Sequence, residues 1–258
     1  MSKLKVSDIV SKKGKEKITS LTAYDYITAK ILDEAGIDII LVGDSLSNVI
    51  QGNTTTIPVS MDEMIYHCKI VSKAVERALV IGDMPFMSYQ ISLEEGIRNA
   101  MRFLKEGNCD GVKIEGGYEI LDLVNKLTTY GVPVMGHIGL MPQRVHLYGY
   151  KLATDESLID VAKSLEQAGA FSIVLEKVSY KLAEKITKAI NIPTIGIASG
   201  PHCDGQVLVF HDMIGLNKQK FKFVRKYLNA YELFLNAVKN YIEDVKGNKF
   251  PSLEESYE

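Results

Sequence analysis

Long apolar runs, paired cysteines and an excess of either charge are all missing from this sequence, and each absence excludes something. No uninterrupted apolar stretch approaches the ~20 residues that a membrane-spanning helix needs. The opening stretch, MSKLKVSDIVSKKGKEK, holds no apolar segment of signal-peptide length, so export is not expected. A formal net charge of -2 leaves no global field to draw nucleic acid or an anionic membrane. One basic run, LNKQKFKFVRKYL with Lys218, Lys220, Lys222, Arg225 and Lys226, reads as a solvated surface and matches no nucleic-acid motif. Cys68, Cys109 and Cys203 are odd in number and lack the spacing of zinc ligands or a redox pair, which fits a reducing cytosol. No linker rich in Pro, Gly or Ser and no low-complexity tract breaks the chain. The expectation is a soluble, cytoplasmic protein with one domain over residues 1–258, and 46% hydrophobic residues suffice for a large core.

What is present is an alternation. Short β-rich segments ending in polar residues recur eight times: ITSLTAYD, IDIILVGDS, ALVIGDMP, DGVKIEGG, VPVMGHIGL, FSIVLEKV, IPTIGIASG and VLVFHDMIG. Between most of them lie runs such as MDEMIYHCKIVSKAVE and ESLIDVAKSLEQAG, with apolar residues at the three- and four-residue intervals of a helix. Gly36, Gly107, Gly131 and Gly169 sit where helix C-termini favour glycine. Strands alternating with helices make a parallel sheet, since parallel neighbours need a crossover. Eight units predict an α/β fold of the (β/α)8 TIM barrel type. An open doubly wound sheet is the alternative, weakened by the lack of a Gly-rich dinucleotide fingerprint after the first strand. The crossover between Gly200 and Val207 is too short for a helix. An N-terminal extension, a final helix in YELFLNAVKNYIEDVKG and an acidic tail, FPSLEESYE, complete the domain.

In such barrels active sites form at the carboxyl ends of the strands. Those ends carry Asp25, Asp44 with Ser45, Asp83, Lys113 with Glu115, His137, Glu176, Ser199, and His211 with Asp212. Helix capping accounts for Asp25 and suits Asp212, but Lys113, Glu115 and Glu176 fall inside the strand pattern. In DGVKIEGG, Val112 and Ile114 face one way and Lys113 and Glu115 the other. If the aliphatic pair packs on helices, the charged pair faces the barrel mouth. Asp44, Asp83 and Glu115 close three successive strands, and adjacent strands lie only ~4.8 Å apart. Their convergence fits either a hard cation such as Mg2+ or a salt-bridge network centred on Lys113. Glu176, alone at the end of an apolar strand across the barrel, should have a raised pKa, as a general base near neutrality requires.

The segments LTAYDY, LVGDSLSNVIQG, MDEMIYHC, DMPFMSY, VKIEGG, PVMGHIGLMPQ, VLEKV and DGQVLVFHDMIGL resemble, in order, the ketopantoate hydroxymethyltransferase family. The resemblance implies a (β/α)8 barrel that transfers a hydroxymethyl group from 5,10-methylenetetrahydrofolate to 3-methyl-2-oxobutanoate. It implies one Mg2+ per subunit held by Asp44, Asp83 and Glu115, the last directly or through water. Asp44, Ser45, Asp83 and Lys113 would bind the 2-oxo acid, while His137 lines the pocket and Glu176 accepts the proton. A homo-oligomer, usually a decamer, is also implied. Two stretches depart from the family: LYGYKLATDESL is shorter than its usual loop and lacks a glutamine, and GIASG stands where Gly-Ile-Gly-Ala-Gly is usual. Both touch the barrel rim, where they bear on folate binding and lid closure. His202, Cys203 and Asp204 resemble a metal cluster only on paper.

Three other functions compete. A relative of the phosphoenolpyruvate mutase and isocitrate lyase group would share the barrel, but its cysteine-bearing loop is not found here. A Schiff-base aldolase would use Lys113 as nucleophile. A non-catalytic barrel would have no reason to keep four carboxylates at its mouth.

Overall fold

A computed structural model describes residues 2–258. The chain divides into two compact units, one running to Val209 and the other Phe210–Glu258. The first holds eight parallel strands, β1 (Ile18–Thr22), β2 (Ile39–Val42), β3 (Leu79–Asp83), β4 (Gly111–Glu115), β5 (Val134–Gly139), β6 (Ser172–Glu176), β7 (Thr194–Ile197) and β8 (Gly205–Leu208). They close in sequence order into a barrel, β8 pairing with β1. The expected (β/α)8 architecture is present.

Local chemistry explains the boundaries. Ser60 and Glu63 form a reciprocal capping box at the start of the helix Met61–Ala74, with Ser60 N–H donating to Glu63 at 2.8 Å. Asp25 accepts from Thr28 N–H at 2.8 Å, so this residue is the cap its position suggests. Gly36, Gly131 and Gly169 have positive φ, but after the helix Leu93–Lys105 the left-handed residue is Asn108. Gly107 is instead required for space, since a Cβ there would lie 2.6 Å from the Phe103 carbonyl.

The eighth strand differs from its expected position. It begins at Gly205 and ends at Leu208, and Phe210–Met213 is a helical turn. Closure dictates this: Ile18 pairs with Gly205, and a side chain there would bring a Cβ within 2.5 Å of the Ile18 carbonyl. The strand therefore starts inside the short crossover, and His211 and Asp212 belong to the second unit rather than to a strand end.

The barrel interior is apolar below and polar above. Ile39, Leu41, Ile81, Met135, Val174 and Ile195 pack together, and Ile9 from the N-terminal helix Val6–Ser11 joins them fully buried. Side chains alternate along a strand, so the next inward position after Ile81 is Asp83, after Met135 is His137, and after Val174 is Glu176. One step along each strand turns core into site.

The second unit holds the helix Ala230–Lys246, on which Leu233, Phe234, Val238, Tyr241, Ile242 and Val245 are exposed. Among the described residues no helix is long and apolar enough to cross a membrane.

Candidate active site

Strand register sets the contacts at the mouth. Asp83 pairs with Lys113 and Glu115 with His137 across neighbouring strands. Lys113 Nζ lies 2.9 Å from Asp83 Oδ1 and 3.2 Å from His137 Nδ1. All four side chains are buried, Lys113 to 5% exposure. Burial alone would lower the lysine pKa, but the charges of Asp83, Asp44 and Glu115 outweigh it and hold the ammonium above its ordinary value.

Asp44 follows β2 by two residues, and its backbone N–H donates to Asp83 Oδ2 at 3.1 Å. Burial first and the Asp83 charge second push its carboxyl up to about 7, against the pull of Lys113. Glu115 is held well above the ordinary carboxylate range by burial and then by Asp44. Ser45 shares a hydrogen bond of 2.8 Å with the Tyr24 hydroxyl.

Glu176 was expected to stand alone and across the barrel. Its side chain is instead 23% exposed and lies 3.3 Å from His137 Nε2, while His137 Nδ1 is 3.7 Å from Glu115. Only His137 separates the base candidate from the acidic cluster. Burial, and then the charge of Lys113, lower the His137 pKa against the opposing effect of Glu176, so the ring is neutral near pH 7. An ammonium can only donate, so Nδ1 is the acceptor and Nε2 carries the proton facing Glu176. This tautomer is assigned from the network.

Gln143, which the sequence reading passed over, ties the acids together. Its side-chain amide donates to Asp44 Oδ2 at 3.3 Å and to the Met84 carbonyl at 3.0 Å, and its backbone N–H donates to Glu115 Oε1 at 3.1 Å. Its carbonyl oxygen accepts from Tyr89 and Gln90, each at 3.0 Å. The only signal in the sequence was the LMPQ turn after β5, since glutamine is an unremarked residue type there.

The His202, Cys203, Asp204 loop is structural. Asp204 pairs with Lys13 at 2.7 Å and accepts from Thr194 N–H at 2.9 Å, and Cys203 is buried.

Among the described residues no three His, Cys, Asp or Glu side chains form a self-sufficient metal cage. Mg2+ does not require one, because it takes one or two carboxylates and completes its shell with water and substrate oxygens. The residues present fit such an ion. Asp44, Asp83 and Glu115 offer oxygen only, and the raised carboxyls of Asp44 and Glu115 mark crowded negative charge that a dication relieves.

A closed parallel barrel with acids, a lysine and a glutamate gathered at the carboxyl ends of β2 to β6 defines an enzyme of the (β/α)8 class. The family model described as ketopantoate hydroxymethyltransferase matches residues 3–253. The 3-methyl-2-oxobutanoate hydroxymethyltransferase of Chlorobaculum tepidum is 54% identical, over 94% of this chain and 91% of its own. That of Staphylothermus marinus is 50% identical, over 97% and 94%. The chain belongs to the ketopantoate hydroxymethyltransferase family and is a transferase. In fold alone it is similar to 2,3-dimethylmalate lyase, a member of the PEP mutase/isocitrate lyase superfamily, with a TM-score of 0.63 and 14% identity over 98% of this chain and 91% of that one.

Proposed function

We propose that this protein transfers a hydroxymethyl group from 5,10-methylenetetrahydrofolate to 3-methyl-2-oxobutanoate, giving 2-dehydropantoate for pantothenate synthesis in the cytoplasm. Family membership supports the reaction, and one observation carries the mechanism: a neutral His137 with Lys113 on one ring nitrogen and Glu176 on the other. Asp44 and Asp83 would hold Mg2+, with Glu115 bound directly or through water. A divalent cation there supplies Lewis acidity to the 2-oxo group.

The chain's own residues do the rest. Glu176 takes the proton from C3 of the 2-oxo acid, leaving an enolate whose carbon attacks the one-carbon unit of the donor at the formaldehyde level. One water opens the donor's methylene bridge, its oxygen becoming the hydroxyl oxygen and its two hydrogens going to the two nitrogens of the departing tetrahydrofolate. The C3 proton ends on the new hydroxyl. Lys113, fixed by Asp83, offers a preorganised positive charge to the developing oxyanion, and such groups stabilise charge strongly where water is excluded. Ser45 and His137 line the same pocket, and Asp44 reaches the substrate through the metal. The held ammonium of Lys113 disfavours a Schiff-base route, which needs a free amine.

The exposed apolar residues of the helix Ala230–Lys246 support a homo-oligomer, a decamer by family resemblance, to be measured by light scattering.

Solvent-deuterium exchange at C3 of 3-methyl-2-oxobutanoate, with and without Mg2+, tests the mechanism. Exchange is expected to require both the ion and Glu176, falling about 10²–10⁴-fold in Glu176→Gln. Equal exchange by that variant would remove Glu176 as the base.

A further inference from the structure

Ser45 opens the helical turn Leu46–Val49 without capping it, since its side chain makes no hydrogen bond to the backbone of that turn. The ordinary structural task of a serine at a helix start is therefore not the one this hydroxyl performs. Its Oγ lies instead 2.8 Å from the hydroxyl of Tyr24, two residues past the neighbouring strand β1. Gly43 leaves the room for this arrangement, because a Cβ there would sit 2.8 Å from Ser45 Oγ. Ser45 is half-buried and Tyr24 is 1% exposed. The serine thus meets the solvent side while the phenol backs it from within.

The phenol is carried on a backbone fixed at three successive residues. Ala23 N–H donates to the Leu41 carbonyl at 3.1 Å, and Asp25 caps the helix Tyr26–Glu34. Between them the Tyr24 carbonyl lies 2.7 Å from His67 Nδ1, on the helix Met61–Ala74. A carbonyl can only accept, so Nδ1 of His67 carries the proton, an assignment made from this contact.

Either oxygen of the Tyr24–Ser45 pair could supply the proton between them, and chemistry selects one. A phenol is a stronger acid than an alcohol and a poorer acceptor, so Tyr24 is the better donor. The ligand imposes the same direction. A 2-oxo acid anion presents three oxygens, all acceptors, so a serine that contacts it must donate. With Tyr24 donating to Oγ, the serine proton is left for the ligand, and hydrogen bonds in such a chain polarise one another.

We propose that Tyr24 is a positioning residue for substrate binding: its hydroxyl donates to Ser45 Oγ and turns the serine proton toward the 2-oxo acid. The inference rests on Ser45 contacting that acid.

The test compares Tyr24→Phe, Gly43→Ala, Ser45→Ala and the double variant Tyr24→Phe/Ser45→Ala with the parent in Mg2+-containing buffer. It reads calorimetric binding of 3-methyl-2-oxobutanoate, KM and kcat, and, in a separate titration, Mg2+ binding without the acid. Ser45→Ala removes a hydrogen bond to an anion and is expected to weaken 2-oxo acid binding about 10- to 100-fold. Tyr24→Phe removes only the neutral bond that orients it, so a loss of about 3- to 10-fold is expected, falling on KM more than on kcat. Mg2+ affinity in Tyr24→Phe should stay within about twofold, because carboxylates and water hold such an ion. Gly43→Ala drives Ser45 Oγ off the phenol and should weaken 2-oxo acid binding as Tyr24→Phe does, which keeps the test if Tyr24→Phe does not fold. In the Ser45→Ala background Tyr24→Phe should cost nothing further, since a group acting through the serine hydroxyl is silent once it is gone. Parent-like 2-oxo acid affinity in Tyr24→Phe or Gly43→Ala, an undiminished loss from Tyr24→Phe in the Ser45→Ala background, an equal loss of Mg2+ affinity, or a loss confined to kcat would overturn the assignment of Tyr24 alone. Parent-like affinity in Ser45→Ala would instead overturn the serine contact and Tyr24's role with it.

Discussion

Gly139 is where the barrel's closure and its chemistry meet, and Gly139→Ala should damage both. The residue pairs with Glu176 across β5 and β6 and has φ +102. An added Cβ would sit 2.3 Å from the Glu176 carbonyl oxygen and 2.7 Å from Val178 Cγ2. The first of these is backbone, so the strand ends must part by about 1 Å to reach an ordinary contact of ~3.4 Å. Positive φ costs an alanine roughly 1–2 kcal/mol, losing the Leu140 to Glu176 hydrogen bond about 1 kcal/mol, and the overpacking about 1–3 kcal/mol. A destabilisation of about 3–6 kcal/mol follows, which for a chain of this size lowers Tm by roughly 10–20 °C. The same displacement moves Glu176 away from His137, so C3 exchange should fall about 100-fold. Differential scanning calorimetry and the exchange assay read the two effects. A Tm within about 2 °C of the parent together with exchange within about twofold would refute the argument, because the turn would then have absorbed the methyl group without cost.

Other substitutions probe separate parts of the structure. Gln143→Ala strips the amide from Asp44 and leaves Tyr89 and Gln90 short of an acceptor. It should cost about 2–4 kcal/mol in thermal unfolding and weaken Mg2+ binding by calorimetry about 10- to 100-fold, the usual effect of removing an orienting partner. Lys113 should give no adduct with 3-methyl-2-oxobutanoate and borohydride in mass spectrometry, since Asp83 and its neighbours keep it an ammonium. Asp38 contributes to stability against acid. Burial would raise its pKa, but the Thr19 backbone N–H and Lys12 outweigh burial and hold it below the ordinary value. A depressed folded pKa gives stability that is full above the unfolded value of ~3.9 and is lost as pH falls through the folded one. Asp38→Asn should therefore be less stable at pH 7 in urea unfolding, and should lose less than the parent on going from pH 5 to pH 3.

The eight-fold alternation was legible because each strand ends in a polar residue just where an apolar run stops, so period and punctuation agree. The Lys113 and Glu115 pair was legible for the same reason: a two-residue period fixes a shared face whatever the neighbours are. Glu176 could be placed at a strand end but not beside its partner. Strand order puts β5 between β4 and β6, but the register, which sets His137 level with Glu115 and two residues short of Glu176, is tertiary. Gln143 escaped because its role depends on a turn after β5 that folds back over the acids, a tertiary event with no periodic trace. β8 was displaced because closure against β1, not local β-propensity, selects Gly205 as its start.

The proposed mechanism leaves a problem at the mouth: how a site with four carboxylates would keep one of them available as a base. Lys113 answers part of it by pairing with Asp83 at 2.9 Å, which leaves its other contact to a neutral ring rather than to a second acid. Because the lysine can only donate, His137 must present an acceptor to it and a proton to Glu176. A histidinium would have two protons and no acceptor for the ammonium, and burial and Lys113 together disfavour it. The ring thus stands between Glu176 and the lysine, so that Glu176 faces an N–H rather than a full positive charge. Its 23% exposed side chain also leaves a face open, where the proposed mechanism would bring the C3 proton. Separation of roles among like residues comes here from which neighbour each one meets, with Asp83 spent on the lysine, Asp44 and Glu115 tied to Gln143, and Glu176 set apart by a single imidazole.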